Sequence, residues 1–232
     1  MKLLLGFVVG LVIAAAIAAT ALKVAWGDIA DLESRDRGAD VTKTVEVADF
    51  DAISITGVFE IDVTVGADYS VAISGKEDDL ARTRVSVENG RLILDTANRD
   101  ENGRRKVIKH GVTAKVTMPA LNAIDAAGVV DGDVRGISAE SFTAGVSGVG
   151  ELNLSGSCGV FDADVSGVGE LDAEALECRT VTVDVSGVGS AKVFASEAVE
   201  AEMAGIGKIE VYGSPATVSK SQSSPLGRIS IR

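Results

Sequence analysis

An eight-residue pattern built around Ser-Gly-Val-Gly recurs through the C-terminal half of the chain and limits the folds that it can adopt. Copies begin at residues 127, 147, 166, 186, 204 and 224, so each start follows the previous one by 18 to 20 residues. Helix-pair repeats need about 33 residues or more, whereas about 19 residues suffice for one coil of a β-solenoid. A single coil cannot bury its own apolar side chains, so the copies must stack and share one core.

Each copy is preceded by a segment in which apolar residues alternate with mostly polar ones. Phe142, Ala144 and Val146 form this pattern ahead of the second copy. Strict alternation indicates a strand with one buried face and one solvent-exposed face. The sequence therefore predicts an all-β fold, a parallel β-helix (β-solenoid) built from coils of about 19 residues.

The glycines of each copy are predicted to form the corner of a coil, because glycine permits the positive φ of a sharp turn. These corner residues are Gly148, Gly150, Gly167, Gly169, Gly187, Gly189, Gly205 and Gly207. The apolar residue at the centre of each corner is predicted to point into the core and to stack on its counterparts. The residues at this position are Val149, Val168, Val188, Ile206 and Leu226.

Residues 41–119, ahead of the regular copies, are predicted to form an irregular β-rich cap at one end of the solenoid. Residues 56–63 follow the coil pattern, and Asn89-Gly90 between two apolar runs predicts a β-hairpin. Val112–Met118 predicts a further strand, and the charged residues 98–109 predict an exposed loop. A cap of this kind protects a strand edge that would otherwise be open to association.

The first residues of the chain predict export. Met1 and Lys2 precede a stretch from Leu3 to Leu22 that carries no charge. Two interpretations remain open. One is a cleaved signal peptide, with small residues at Ala19 and Ala21 near the cleavage site. The other is a membrane anchor, because about 20 apolar helical residues span the bilayer core. Both place the body of the protein outside the cytoplasm, in the periplasm, the cell envelope or at the cell surface.

The chain thus divides into three predicted segments. Residues 1–25 form an apolar helix that is the signal peptide or membrane anchor, residues 26–44 form a polar linker, and residues 45–232 form the β-solenoid. The net charge of −12 argues against nucleic acid as a partner, because phosphate binding needs a basic surface.

The order of elements resembles the bacterial GIN-type domain family, described as head domains of auto-transporter adhesins. The resemblance rests on residues 55–58 (ITGV), residues 87–92 (VENGRL), residues 118–121 (MPAL) and the serial Ser-Gly-x-Gly corners that follow. It covers roughly residues 45–232. The resemblance implies an exported β-helix that interacts at the cell envelope or surface, and it supplies no catalytic residues.

Cys158 and Cys178 lie 20 residues apart, which is one coil length. Equivalent residues on adjacent coils would have Cα atoms about 4.8 Å apart, within the range of a disulfide. Export supplies an oxidising compartment. The spacing therefore predicts a Cys158–Cys178 disulfide.

No residue set predicts catalysis, a cofactor or a metal centre. His110 is the only histidine and is expected at the surface. Glu151 and Glu170 are expected to stack at one corner position, and Asp164 and Asp184 on the preceding strand. Lysine and serine occupy the corner position in later copies, so this row of carboxylates is interrupted.

Three functions follow from these expectations. The first is a non-enzymatic, adhesin-like binding module of the envelope or surface, whose partner is a protein or a glycan. The second is a structural envelope protein that self-associates through its coil ends. The third is a carbohydrate-active enzyme of the β-helix type, which would require clustered carboxylates.

Overall fold

Alternating apolar residues produce one sheet that winds into a solenoid around a shared core. The computed structural model describes residues 40–66, 68–96, 108 and 110–232. The predicted apolar segment at residues 3–22 and most of the predicted loop at residues 98–109 lie outside this range. None of the described residues forms a helix long and apolar enough to cross a membrane.

The elements follow one another as predicted for an all-β chain. The strands are β1 (Val41–Val45), β2 (Ala52–Val65), β3 (Ser70–Gly75), β4 (Arg84–Glu88), β5 (Arg91–Asp95), β6 (Val112–Met118), β7 (Ala123–Val146), β8 (Val149–Val165), β9 (Val168–Val185), β10 (Val188–Met203), β11 (Ile206–Tyr212), β12 (Thr217–Gln222) and β13 (Gly227–Ile231). A four-residue helix, α1 (Glu77–Leu80), follows β3.

The regular coils stack in parallel and in register, which confirms the predicted β-solenoid. The order of neighbours is β2, β7, β8, β9, β10, β11 and β13, and β12 pairs with β10. Residues that are equivalent in the repeat lie directly above one another, as Val149, Val168 and Val188 do. Side chains of the same kind therefore form columns, both inside the core and on the surface.

The core consists of these inward columns. Phe142 and Phe161 are fully buried and stack with ring centroids 5.8 Å apart. Val146, Val165 and Val185 form another buried column at the end of the first straight segment of each coil. Because each coil shares its apolar faces with its neighbours, the core is continuous along the stack.

Bulges absorb the differences in coil length. The pairing of β7 with β8 changes register between Val134 and Ile137, and that of β8 with β9 between Asn153 and Ser155. Each shift lies just after the second straight segment of the coil. The corners and straight segments can therefore stay aligned although the repeat varies from 18 to 20 residues.

The N-terminal cap combines parallel and antiparallel pairing. The second half of β2 pairs in parallel with β6. Strand β6 pairs antiparallel with β3, and β3 pairs antiparallel with β1. The predicted hairpin is confirmed as β4 and β5, which pair antiparallel around Asn89 and Gly90. Residues 56–63 are also confirmed as a coil, because they stack on β7 from Thr56 to Val63.

Two expectations about the backbone are corrected. Strand β1 begins at Val41, inside the stretch 26–44 predicted as a linker, because residues 41–45 pair with β3. Of the eight predicted corner glycines, only Gly150 and Gly207 have a positive φ. The other six are required by close stacking: a Cβ on Gly167, for example, would overlap the carbonyl oxygen of Gly148.

Candidate functional site

A column of exposed aliphatic side chains runs along the whole solenoid. We call it the ladder, and its members are Val58, Val129, Val149, Val168, Val188, Ile206 and Leu226. Val149 is 53% exposed and Leu226 is 66% exposed. The prediction that the residue at the centre of each corner points into the core is therefore wrong.

The alternation of the strand explains this orientation. Leu152 is buried, so Gly150 lies on the inner face of the same segment, while Val149 and Glu151 lie on its outer face. Glycine at the inner position leaves room for the corner to close, because a side chain at Gly150 would overlap the carbonyl oxygen of Val130. Because side chains alternate along a strand, the charged Glu151 two residues after Val149 indicates from the sequence alone that Val149 also points outward.

A second column beside the ladder changes its charge along the stack. We call it the charged column, and its members are Glu60, Asp131, Glu151, Glu170, Ser190, Lys208 and Arg228. The four residues nearest the cap are acidic and the last two are basic. The ladder and the charged column together are called the ladder face below.

A third outward column carries ion pairs. Lys192 contacts Glu170 at 3.0 Å and Asp172 at 2.7 Å, and these hydrogen bonds raise the pKa of the lysine. The buried carboxylate of Glu210 accepts hydrogen bonds from Lys208, at 2.7 Å, and from Arg232. These two bonds hold the pKa of Glu210 below its ordinary value.

The part of the ladder face from Val58 to Ser190 lines a groove of about 940 Å³. Asp40, Lys76, His110 and Gly111 line it where it meets the cap. Lys76 and Asp40 form an ion pair of 3.0 Å. His110 is partly exposed, as predicted, and its ring Nδ1 lies 3.2 Å from the buried carboxylate of Asp79.

The structure brings Cys158 and Cys178 together across adjacent coils. They are paired in register between β8 and β9, with Cα atoms 4.5 Å apart, and their sulfur atoms form a disulfide. Both residues are buried. The disulfide thus joins two neighbouring coils of the stack, away from the ladder face.

The predicted rows of carboxylates are also in register. Glu151 stacks on Glu170, and Asp164 stacks on Asp184 with Glu202 on the following coil. Burial, and then repulsion from Glu202 and Asp164, raises the pKa of Asp184. Within the described part of the chain, no group of three or more His, Cys, Asp or Glu residues is arranged to hold a metal ion.

Parallel coils behind a mixed cap define an all-β solenoid domain with a long exposed face. The family described as "Putative auto-transporter adhesin, head GIN domain" matches residues 49–215, and the chain belongs to this family. The resemblance noted in the sequence is thereby confirmed.

One solved structure supports the fold, and a second is reported for comparison only. A "putative adhesin" from Bacteroides fragilis NCTC 9343 is similar at 24% identity with a TM-score of 0.64, covering 83% of this chain and 97% of the other. A "putative lipid binding protein" from Parabacteroides distasonis ATCC 8503 is 16% identical with a TM-score of 0.44, covering 84% and 98%. No curated protein sequence matches the chain.

Proposed function

We propose that this protein is an exported, non-enzymatic binding module of the cell envelope or cell surface, and that the ladder face is its recognition surface. The family description supports a role as an adhesin head. Residues 1–25 would direct export as a signal peptide or membrane anchor, followed by a short polar linker and then the solenoid domain.

The observation that carries this proposal is the exposed ladder. Its rungs follow the spacing of stacked strands, so seven aliphatic side chains extend over about 29 Å. Monomeric proteins rarely expose contiguous apolar surface of this extent unless it binds a partner. Charged residues beside the apolar strip resemble the polar rim of an interface.

The ladder favours a protein over a glycan as the partner. Aliphatic side chains offer no hydrogen bonds to sugar hydroxyl groups, whereas they pack well against the apolar side chains of another protein. The charged column beside them would then set the orientation and specificity of the complex.

A retention assay tests the proposal. The full chain, labelled, is incubated with envelope preparations of the producing bacterium, and the bound fraction is compared with that of Val149→Asp and Val188→Asp. Both substitutions lie on the ladder at exposed positions, so folding should be retained while binding is lost. Val160→Asp is the matched control, because Val160 is 45% exposed but belongs to another column.

Equal retention of the ladder variants and the wild type would contradict the proposed role of this face. N-terminal sequencing of the mature protein, together with its subcellular fraction, tests export separately. A cytoplasmic protein that keeps its first residues would contradict the export part of the proposal.

A further inference from the structure

We infer that the partner of the ladder face is a second copy of this chain, packed face to face with its solenoid axis antiparallel. This inference rests on the proposed function, because it uses the same surface and names the occupant. The two-fold axis would lie across the face and pass beside Val168, the central rung of the ladder.

Such a two-fold axis places like columns opposite each other with their order reversed. The ladder of one copy then lies against the ladder of the other, and Val168 faces its own equivalent. Val129 faces Ile206, and Val149 faces Val188. Every contact in this column is aliphatic against aliphatic, so the ladder is complementary to itself, as an isologous interface requires.

The charged column selects the antiparallel arrangement. Reversal of the order places Glu60 opposite Arg228 and Asp131 opposite Lys208, and each pair occurs twice. Parallel packing, with its two-fold axis along the solenoid, would instead leave the two charged columns on opposite sides of the paired ladders, where they do not face each other. Opposite charges across an interface steer and orient the partners. In the antiparallel pair only Glu170 faces its own equivalent, and its ion pair with Lys192 at 3.0 Å offsets that repulsion.

Several of these charges have no opposite charge nearby within one copy. Among the described residues, no lysine or arginine lies within ion-pair distance of Asp131 or Glu151. Within the same part of the chain, Arg228 makes no ion pair at the other end of the column. In the antiparallel pair a second copy supplies an opposite charge to Asp131 and to Arg228, whereas Glu151 faces the neutral Ser190.

The exposure of the two ends of the ladder agrees with an antiparallel arrangement of the two copies. Val58, beside the cap, is 37% exposed, because Gly111 and its neighbours rise beside it. Leu226, at the other end, is 66% exposed and protrudes most. In the antiparallel pair the most protruding rung of each copy enters the deepest part of the groove of the other.

The size of the face predicts weak association. Three outward columns over seven coils measure about 29 Å by 14 Å, which lies at the low end of specific interfaces. We therefore expect a dissociation constant on the order of 100 µM. Such a contact would bind firmly only when several copies are presented together on one surface.

Sedimentation equilibrium between about 10 µM and 1 mM tests the inference, a range that brackets the dissociation constant expected for so small an interface. The wild type should pass from monomer to a closed dimer and stop there. Val168→Asp buries two further carboxylates at the apolar centre of the interface, beside the two Glu170 side chains, and should abolish the dimer, while Val160→Asp should leave it unchanged. A monomer at every concentration overturns the inference, and a continuing series of larger species indicates association through coil ends and also overturns it.

Charge reversal tests the orientation. Arg228→Glu should raise the dissociation constant about tenfold and reduce its dependence on salt. The double variant Glu60→Arg with Arg228→Glu restores opposite charges in the antiparallel pair and should recover the affinity. Lys220→Glu, which makes the same change of charge on β12, is the control. Failure of the double variant to recover affinity overturns the antiparallel arrangement.

A cysteine at the axis gives an independent readout. Val168→Cys should form a disulfide-linked dimer under mild oxidation, whereas Val160→Cys should not.

The envelope assay distinguishes this inference from the proposed function. If the chain stays monomeric while ladder variants still lose envelope binding, the second copy is ruled out and the recognition surface stands. If dimers form while envelope binding ignores the ladder, the proposed envelope role fails and the self-pairing stands.

Discussion

The regular stack from β7 to β11 and the N-terminal cap from β1 to β6 consist of the same strand-forming residues, yet they place glycine under different constraints. In the stack, Gly167 lies where a Cβ would overlap the Gly148 carbonyl on the coil beside it. In the cap, Gly66 has a φ of 107° and open space around it. Stacking excludes a side chain at Gly167, whereas turn geometry disfavours one at Gly66.

The largest expected loss of stability is that caused by a substitution at Gly167. Gly167→Ala should destabilise the fold by about 3 kcal/mol or more, because two backbones must separate to admit one methyl group. Gly66→Ala should cost about 1 kcal/mol, since only the strain of a positive φ is added. Denaturant unfolding of both variants checks the order, and a larger loss for Gly66→Ala would refute the distinction.

The disulfide ties two coils of the stack, and the cap has no such bond within its described residues. Replacing Cys158 and Cys178 together by alanine should lower the free energy of unfolding by about 3 kcal/mol, from the loop-entropy relation for a loop of this length. Reduction of the wild type should have the same effect, and the alanine variant should not respond to reductant. Mass spectrometry of the native protein, showing two free thiols, would contradict the pairing itself.

The two ends of the stack are stabilised differently. Cap strands cover the N-terminal end, whereas an ion cluster of Glu210, Lys208 and Arg232 stabilises the C-terminal end. Glu210→Gln should cost about 1.5 kcal/mol at neutral pH, because hydrogen bonds to a buried charged group are lost. Since the folded pKa of Glu210 is lowered, its contribution is present above the ordinary value of 4.5 and disappears as pH falls through the folded value. The variant should therefore show a flatter acid dependence of stability.

Glu200→Gln, at an exposed position on β10, is the control for this experiment. An equal loss of stability in both variants would show that the cluster around Glu210 contributes nothing of its own.

The smallest effect is expected on the outer face of the stack, where repetition places like charges together. Asp184→Asn should stabilise the fold at neutral pH by a few tenths of a kcal/mol, because carboxylates directly opposite each other are unfavourable. The folded pKa of Asp184 is raised above 3.8, so wild-type stability gains as pH falls through the raised value. That gain should be missing in the variant, and Asp162→Asn, between neutral neighbours, should change neither quantity.

The stack could be predicted from the sequence because its period repeats and its apolar residues alternate. The hairpin was predictable because Asn89 and Gly90 favour one turn type, and both have positive φ. The direction of the ladder was mistaken because valine at a glycine-rich corner suggested burial, although Glu151 two residues later fixes its face. An apolar residue on an outer face contradicts the usual pattern, and such exceptions mark functional surfaces.

The pairing partners within the cap were not predictable. That β6 lies between β2 and β3 depends on which strands meet in space, and no period in residues 41–119 indicates it. The charged column was visible in part, since the aligned copies already place Ser190 and Lys208 at the position of Glu151 and Glu170. Its two ends, Glu60 and Arg228, join the column only through the pairing of β2 with β7 and of β11 with β13.

The bond between Cys158 and Cys178 also has a mechanical consequence. Tension applied at the C-terminal end would peel the solenoid one coil at a time, because each coil is held mainly by its neighbour. When the peeling reaches Cys178, the force passes through the sulfur bridge to Cys158 and bypasses the residues between them. About 65 Å of extended chain thus stays out of the load path, and the length that the pull can extract from the solenoid is shortened by that amount.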